Sequence, residues 1–140
     1  SVKVLGHRAD VPELMRQSDI LVLSSIEEGS ALVTSEARGS GCVLLVSEAS
    51  GAICQHGENA LVHPVGDVAM LTQHINLLHE NRVFLEKLRA SSSSTVNEIT
   101  WSAAGVKLLN VYREQLTARH SPKIENISFA FRGQNKILAE

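Results

Sequence analysis

Residues 19–48, DILVLSSIEEGSALVTSEARGSGCVLLVSE, decide the fold of this chain. The runs ILVL and VLLV within them are continuously apolar, which is typical of parallel strands that are covered on both faces. The segment between the runs predicts a helix that begins at Ser30 or Ala31 and ends at Arg38, next to Gly39. A strand, a helix and a second strand in this order predict a parallel β–α–β unit.

The rest of the chain continues this alternation of strands and helices. The predicted strands are Val2–Gly6, Ile20–Ser24, Val43–Ser47 and Ala60–His63. Helices are predicted within residues 10–19 with Asp10 as N-cap, after the N-cap Asp67, from Arg82 to about Ser92 where four serines end it, and after Trp101. The expected buried stripes are Val68, Leu71, Ile75 and Leu78, then Val106, Leu109, Tyr112 and Leu116, with Trp101 as a core anchor. This order indicates an α/β fold with a Rossmann-like, doubly wound parallel sheet.

Composition excludes several classes of protein. The 140 residues are 44% hydrophobic with a formal net charge of −2, so a nucleic-acid footprint is not expected. No apolar run approaches the roughly 20 residues that span a bilayer. Cys42 heads an apolar run and is expected to be a buried, reduced thiol, which favours a cytoplasmic setting. Because the chain begins in a predicted strand at Ser1, we expect it to be part of a longer protein.

The loop after the ILVL strand predicts a ligand site. In a doubly wound sheet, ligands bind beyond the carboxyl ends of the strands. Gly29 lets a ligand approach the backbone, and unpaired N–H groups at the start of the following helix suit a phosphate. Glu28 and Glu36 have seven residues between them, about 12 Å of rise on a helix, so they are not an acid–base pair. Two carboxylates beside a phosphate site suggest a nucleotide sugar, although glutamates that merely favour the helix dipole remain the alternative.

Several segments together resemble one enzyme family. Residues 18–51 resemble the donor-site signature of group 1, family 4-like, retaining GT-B glycosyltransferases: an Asp, an apolar strand, a Glu-Gly pair and a second glutamate after seven residues. VKVLGHRADVPELM resembles the segment upstream of that signature, and HGENALVHPVGD and TWSAAGVKLLNVY resemble segments downstream. One departure is the loop SGAICQHG around Gly51, which is shorter than the family's usual Gly-Gly loop.

The resemblance implies a role for individual residues. Glu28 would be the catalytic carboxylate that contacts the transferred sugar, and Glu36 would hold the ribose hydroxyls. The backbone N–H groups of the loop and helix start would bind sugar and phosphate, and residues after the first strand would border the nucleobase. These two sets are Gly29, Ser30, Ala31 and Leu32, and then His7 and Arg8. No metal or other cofactor is expected.

The resemblance also implies domains and partners. Residues 1–120 would be the C-terminal, donor-binding domain, followed by a tail, residues 121–140, of no predicted structure. The partners would be a UDP- or GDP-sugar and an N-terminal acceptor domain of the same chain, with peripheral membrane association through the parent enzyme. Self-association of the fragment through an unpaired sheet edge is a further expectation. Alone, the fragment is expected to be inactive.

Two other functions stay open: a nucleotide-sugar epimerase domain and a non-catalytic nucleotide-binding or interaction module. The sequence holds no G-x-x-x-x-G-K-[ST] motif, no G-x-G-x-x-G motif after the first strand and no D-x-D motif. For the six histidines we expect surface or capping positions, because His74 and His79 point to different sides of one helix. Arg38 is expected to be a solvated arginine on a helix face.

Overall fold

The structure, a computed structural model, describes residues 2–118. Its elements are α1 (Val11–Arg16), β1 (Ile20–Leu23), α2 (Leu32–Gly39), β2 (Val43–Ser47), β3 (Ala60–His63), α3 (Val68–Glu80), α4 (Arg82–Ser94), a 3-10 helix (Val96–Ile99) and α5 (Trp101–Ala118). The chain divides into two compact units, Ser1–Gly105 and Val106–Glu140. The sheet lies wholly in the first unit, and the tail at 121–140 lies outside the described residues.

The three strands form a parallel sheet in the order β1-β2-β3. Ile20 aligns with Val43, and Leu44 aligns with Ala60. All five residues of β2 are buried, as expected for a central strand that is covered on both faces. The expected α/β fold with a parallel sheet is confirmed.

Alternate residues of β2 pack into separate cores on the two faces of the sheet, because successive side chains of a strand point to opposite sides. Leu44 and Val46 join Met15 of α1 and Ala37 of α2. On the other face, the core consists of Val43, Leu45, Leu61, Leu78, Leu85 and Leu88, the last three from α3 and α4. Each fully buried leucine contributes roughly 1.5–3 kcal/mol of transfer free energy.

Arg38 links α2 to the end of α4, and the prediction of a solvated arginine was wrong. Its side chain is 4% exposed. The guanidinium donates to Ser92 Oγ at 3.0 Å, to the Ser92 carbonyl at 3.1 Å, to Thr95 Oγ1 at 2.6 Å and to the Ile53 carbonyl at 2.7 Å. Burial lowers the pKa of Arg38. The four serines do not end α4 at Ser92, because the helix runs to Ser94 and buries Ser92 against this arginine.

Residues 2–6 do not form the predicted strand. Val2 is 96% exposed and Val4 is 91% exposed, and a strand needs a neighbour to pair its backbone groups. In the described chain no strand lies beside this segment. Asp10 precedes α1 as expected, but its side chain pairs with Arg8 and does not cap the helix.

The predicted helix stripes were only partly right. In α3, Asp67 caps the helix by accepting from the Met70 N–H at 2.8 Å, as expected. Leu78 is buried, whereas Val68 is 72% exposed and Ile75 is 41% exposed. The stripe predicted for α5, Val106, Leu109, Tyr112 and Leu116, is more than half exposed at each position, and Trp101 is 82% exposed. Apolar periodicity identifies a helix, but burial requires a neighbouring element to cover that face.

Candidate functional site

The loop between β1 and α2 lies at the carboxyl end of β1 and is held by a side chain of its own, Ser25, and by Ser47 of β2. Ser25 Oγ donates to Glu28 Oε2 at 2.8 Å, which fixes the carboxylate close to the strand. Ser47, the last residue of β2, donates its hydroxyl to the Ser25 carbonyl at 2.6 Å. The carboxyl ends of neighbouring parallel strands therefore position Glu28 together.

Gly51 brings the loop after β2 against the loop after β1. Its φ is +63°, and a Cβ built on it would lie 2.3 Å from the Gly29 carbonyl oxygen and 3.1 Å from Ser30 Cα. Only glycine fits here, because both the backbone conformation and the space exclude a side chain. Sequence reasoning identified Gly51 as the centre of an unusual loop but not as a contact of Gly29.

The start of α2 has free backbone donors. Ala31 occupies the N-cap position without a side-chain hydrogen bond, since alanine has no acceptor. Thr34 donates its N–H and its hydroxyl to the Ala31 carbonyl, at 3.0 and 2.7 Å. The N–H groups of Leu32 and Val33 precede the first intrahelical bond, so they can donate hydrogen bonds to an anion.

Glu36 is exposed on α2 and borders two clefts. One cleft, of about 200 Å³, brings Glu36 together with Ser30 and Leu32. Its remaining lining is Ser35, Ile53, Ile99, Thr100, Trp101 and Ala104. The second cleft, of about 430 Å³, lies between α1 and α2 and is lined by Val11, Pro12, Met15, Glu36 and Ser40. Three residues of the predicted site thus share one cleft, and Glu36 connects it with the other.

The remaining predicted residues lie apart from these clefts. His7 and Arg8 precede α1, are exposed, and line neither cleft. Arg8 forms an ion pair with Asp10, and the hydrogen bond from Arg8 lowers the pKa of Asp10. Glu28 and Gly29 line neither cleft and stand in the loop before them. Within residues 2–118, no three metal-ligating side chains lie close enough together to hold an ion.

Comparison with known proteins identifies the family. The sequence model of the family described as Glycosyl transferases group 1 matches residues 1–81, which include the whole loop and α2. The chain belongs to the group 1 glycosyltransferases. The resemblance to the C-terminal domain of these enzymes is confirmed by the fold as well as by the sequence.

Two curated relatives are also glycosyltransferases. The chain is 33% identical over 91 residues to the N,N'-diacetylbacillosaminyl-diphospho-undecaprenol alpha-1,3-N-acetylgalactosaminyltransferase of Campylobacter jejuni, covering 64% of this chain and 23% of the relative. It is 39% identical over 51 residues to the UDP-Gal:alpha-D-GlcNAc-diphosphoundecaprenol alpha-1,3-galactosyltransferase of Escherichia coli, covering 36% and 13%. The chain therefore spans less than a quarter of either relative.

Solved structures share the fold. The C-terminal domain of the group 1 glycosyltransferase LpcC from Francisella tularensis superposes with a TM-score of 0.62 at 20% identity, covering 70% of this chain and 51% of that one. Anabaena HepE in complex with UDP-glucose gives a TM-score of 0.66 at 25% identity, covering 81% and 31%. Among residues 2–118, no helix has the combined length and apolar character needed to cross a bilayer.

Proposed function

We propose that this chain is the donor-binding domain of a retaining glycosyltransferase that transfers a hexose from a nucleoside-diphosphate sugar. The observation that carries the proposal is the uncapped start of α2, which stands between the Ser25-bound Glu28 and the exposed Glu36 in the segment that matches the family. HepE, which shares the fold, has been solved with UDP-glucose bound. We infer that the ligand of this site is a nucleotide sugar of the same kind.

Each part of the donor would meet a different element. The diphosphate would accept hydrogen bonds from the backbone of Ser30, Ala31 and Leu32 at the helix start, where the helix dipole favours negative charge. Glu36, one turn further along α2, would accept hydrogen bonds from the two ribose hydroxyls with its two carboxylate oxygens. Glu28 would bind the hydroxyls of the transferred sugar. Because Gly51 lies against Gly29 without a side chain, space would remain for that sugar.

Catalysis would depend on stabilising charge without a metal. As the sugar leaves, negative charge grows on the diphosphate and the sugar becomes oxocarbenium-like. Preorganised N–H donors would stabilise the first change and the Glu28 carboxylate the second. Because the chain spans less than a quarter of either curated relative, we propose that it supplies part of this site, is inactive alone and is completed by an N-terminal acceptor domain.

The acceptor is proposed from the relatives. Both curated relatives are named for acceptors that carry a sugar on diphospho-undecaprenol. An acceptor of this class would be embedded in a membrane, so the parent enzyme would associate with a membrane surface. We further propose that His7 and Arg8 border the nucleobase, as the family resemblance implies.

Calorimetric titration of the full-length protein with UDP, GDP, UDP-glucose and GDP-mannose tests the donor site. Glu36→Ala should weaken binding of the preferred nucleotide at least about tenfold, because a hydrogen bond to a charged group contributes about 1.5–3 kcal/mol. Glu27→Ala is the matched control, since Glu27 is an exposed carboxylate next to the site. Equal dissociation constants for the two variants would refute the ribose role of Glu36. A full-length protein that binds no nucleotide would favour an interaction module.

A further inference from the structure

Three histidines lie in the region where α3 covers β3, and we call them the histidine cluster: His56, His63 and His74. His56 lies in the loop before β3, His63 ends β3, and His74 is on the inner face of α3. The rings of His56 and His74 have centroids 5.6 Å apart. His63 is 2% exposed and His74 is 7% exposed. The expectation that all six histidines occupy surface or capping positions was therefore wrong for these two.

The hydrogen bonds of the cluster suit neutral rings. His56 Nδ1 accepts from the Val62 N–H at 2.9 Å, which is possible only while that nitrogen is unprotonated. His63 Nδ1 lies 2.9 Å from the Pro64 carbonyl, so in the neutral ring it is the donor. His63 Nε2 and His74 Nδ1 are buried and have no hydrogen-bond partner among the described residues. A proton on either would introduce a buried donor without an acceptor.

We propose that the histidine cluster makes the packing of α3 against β3 and the preceding loop sensitive to acid, so that this part of the domain loosens below about pH 6.5. Protonation of His56 removes the acceptor of the Val62 N–H, and charge on His56 or His63 repels charge on His74. Two further contacts belong to the same turn. His56 forms an isolated bridge with Ala60, and the Gly57 N–H donates to the Ala60 carbonyl at 2.8 Å.

The electrostatic environment of His74 supports a loss of stability in acid. Burial lowers the pKa of His74, and His56 and His63 lower it further, whereas the carboxylate of Asp67 at the start of α3 acts in the opposite sense. Asp67 Oδ1 accepts the Met70 N–H at 2.8 Å as the cap of α3. In the unfolded chain a histidine titrates near pH 6.5. The unfolded state therefore binds more protons as the pH falls through that value, and folding stability is lost there.

Urea unfolding of the full chain at pH 7.5 and pH 5.5, followed by circular dichroism, tests the proposal. Because burial lowers the pKa of His74, the folding equilibrium constant should fall by up to about tenfold between these two pH values. This pH range lies above the range in which the carboxylates of Asp10, Glu13 and Asp19 take up protons. Hydrogen bonds from Arg8, Arg16 and Arg82, respectively, lower the pKa values of these carboxylates.

Variants locate the effect in the cluster. His74→Gln together with His56→Asn, which retains an acceptor near the Nδ1 position, should abolish most of the pH dependence. His79→Gln, on the exposed side of the same helix, should leave it unchanged. A wild-type equilibrium constant that is equal at both pH values would overturn the proposal. If the double variant does not fold, NMR titration of the wild-type His74 ring decides: its midpoint must lie below the value of about 6.5 that a free histidine has, and a midpoint at that value would overturn the proposal.

Discussion

Gly51 is the residue at which space is most tightly limited near the proposed site. Gly51→Ala would place a methyl group 2.3 Å from the Gly29 carbonyl oxygen, in a backbone conformation that alanine rarely adopts. The left-handed conformation alone costs alanine about 1–2 kcal/mol. The clash should add at least about 1 kcal/mol and displace the loop that carries Gly29. We expect a lower urea midpoint and weaker donor binding.

Gly66→Ala is the matched control for this prediction. Gly66 has a φ of +76°, but nothing lies within 4 Å of a Cβ built there. The difference between the two unfolding free energies therefore isolates the contact between Gly51 and Gly29. Equal losses would show that the contact contributes nothing. The sequence could not predict this contact, because glycine occurs both in turns and where the backbone packs closely against a distant loop, and the sequence does not distinguish the two cases.

The side chain of Arg38 connects α2 with the end of α4. Arg38→Met should destabilise the domain by about 2–4 kcal/mol, since it removes the hydrogen bonds that the buried guanidinium donates to Ile53, Ser92 and Thr95. Arg82→Met is the comparison, because Arg82 pairs with Asp19 at an exposed site and should cost less than about 1 kcal/mol. Denaturant unfolding of both variants gives the two values. Similar losses would mean that the buried contacts of Arg38 add no stability.

Among the helices and strands, the sequence predicts the features that depend on the pattern of neighbouring residues. The apolar runs of β1 and β2, the cap at Asp67 and the end of α2 near Gly39 were all located correctly. Burial of Arg38 was not predicted, because its partner Ser92 lies 54 residues away. Residues 2–6 have the composition of a strand, but pairing also requires a neighbouring strand. The roles of Glu28 and Glu36 came from family resemblance and remain predictions.

The sheet is covered on both faces, and its β1 edge has no partner strand among residues 2–118. Two separate cores lie above and below β2, whereas β1 and β3 each pair on one side only among the described strands. Val22, in the edge strand β1, is 45% exposed. Unpaired backbone groups beside exposed apolar side chains form a template for another strand. The chain therefore has the means to associate with a second copy through β1.

We predict that the 140-residue chain forms concentration-dependent oligomers through this edge. Val22→Lys should shift the chain towards monomer in sedimentation velocity, because a charged side chain on an edge strand opposes strand pairing. Val83→Lys places the same charge on α4, at a position that is 82% exposed and away from the edge, and should leave association unchanged. If Val83→Lys dissociates the oligomer as well as Val22→Lys does, net charge rather than the β1 edge controls association. In a longer protein that covers β1, wild type and Val22→Lys should sediment alike, since the edge would already be occupied.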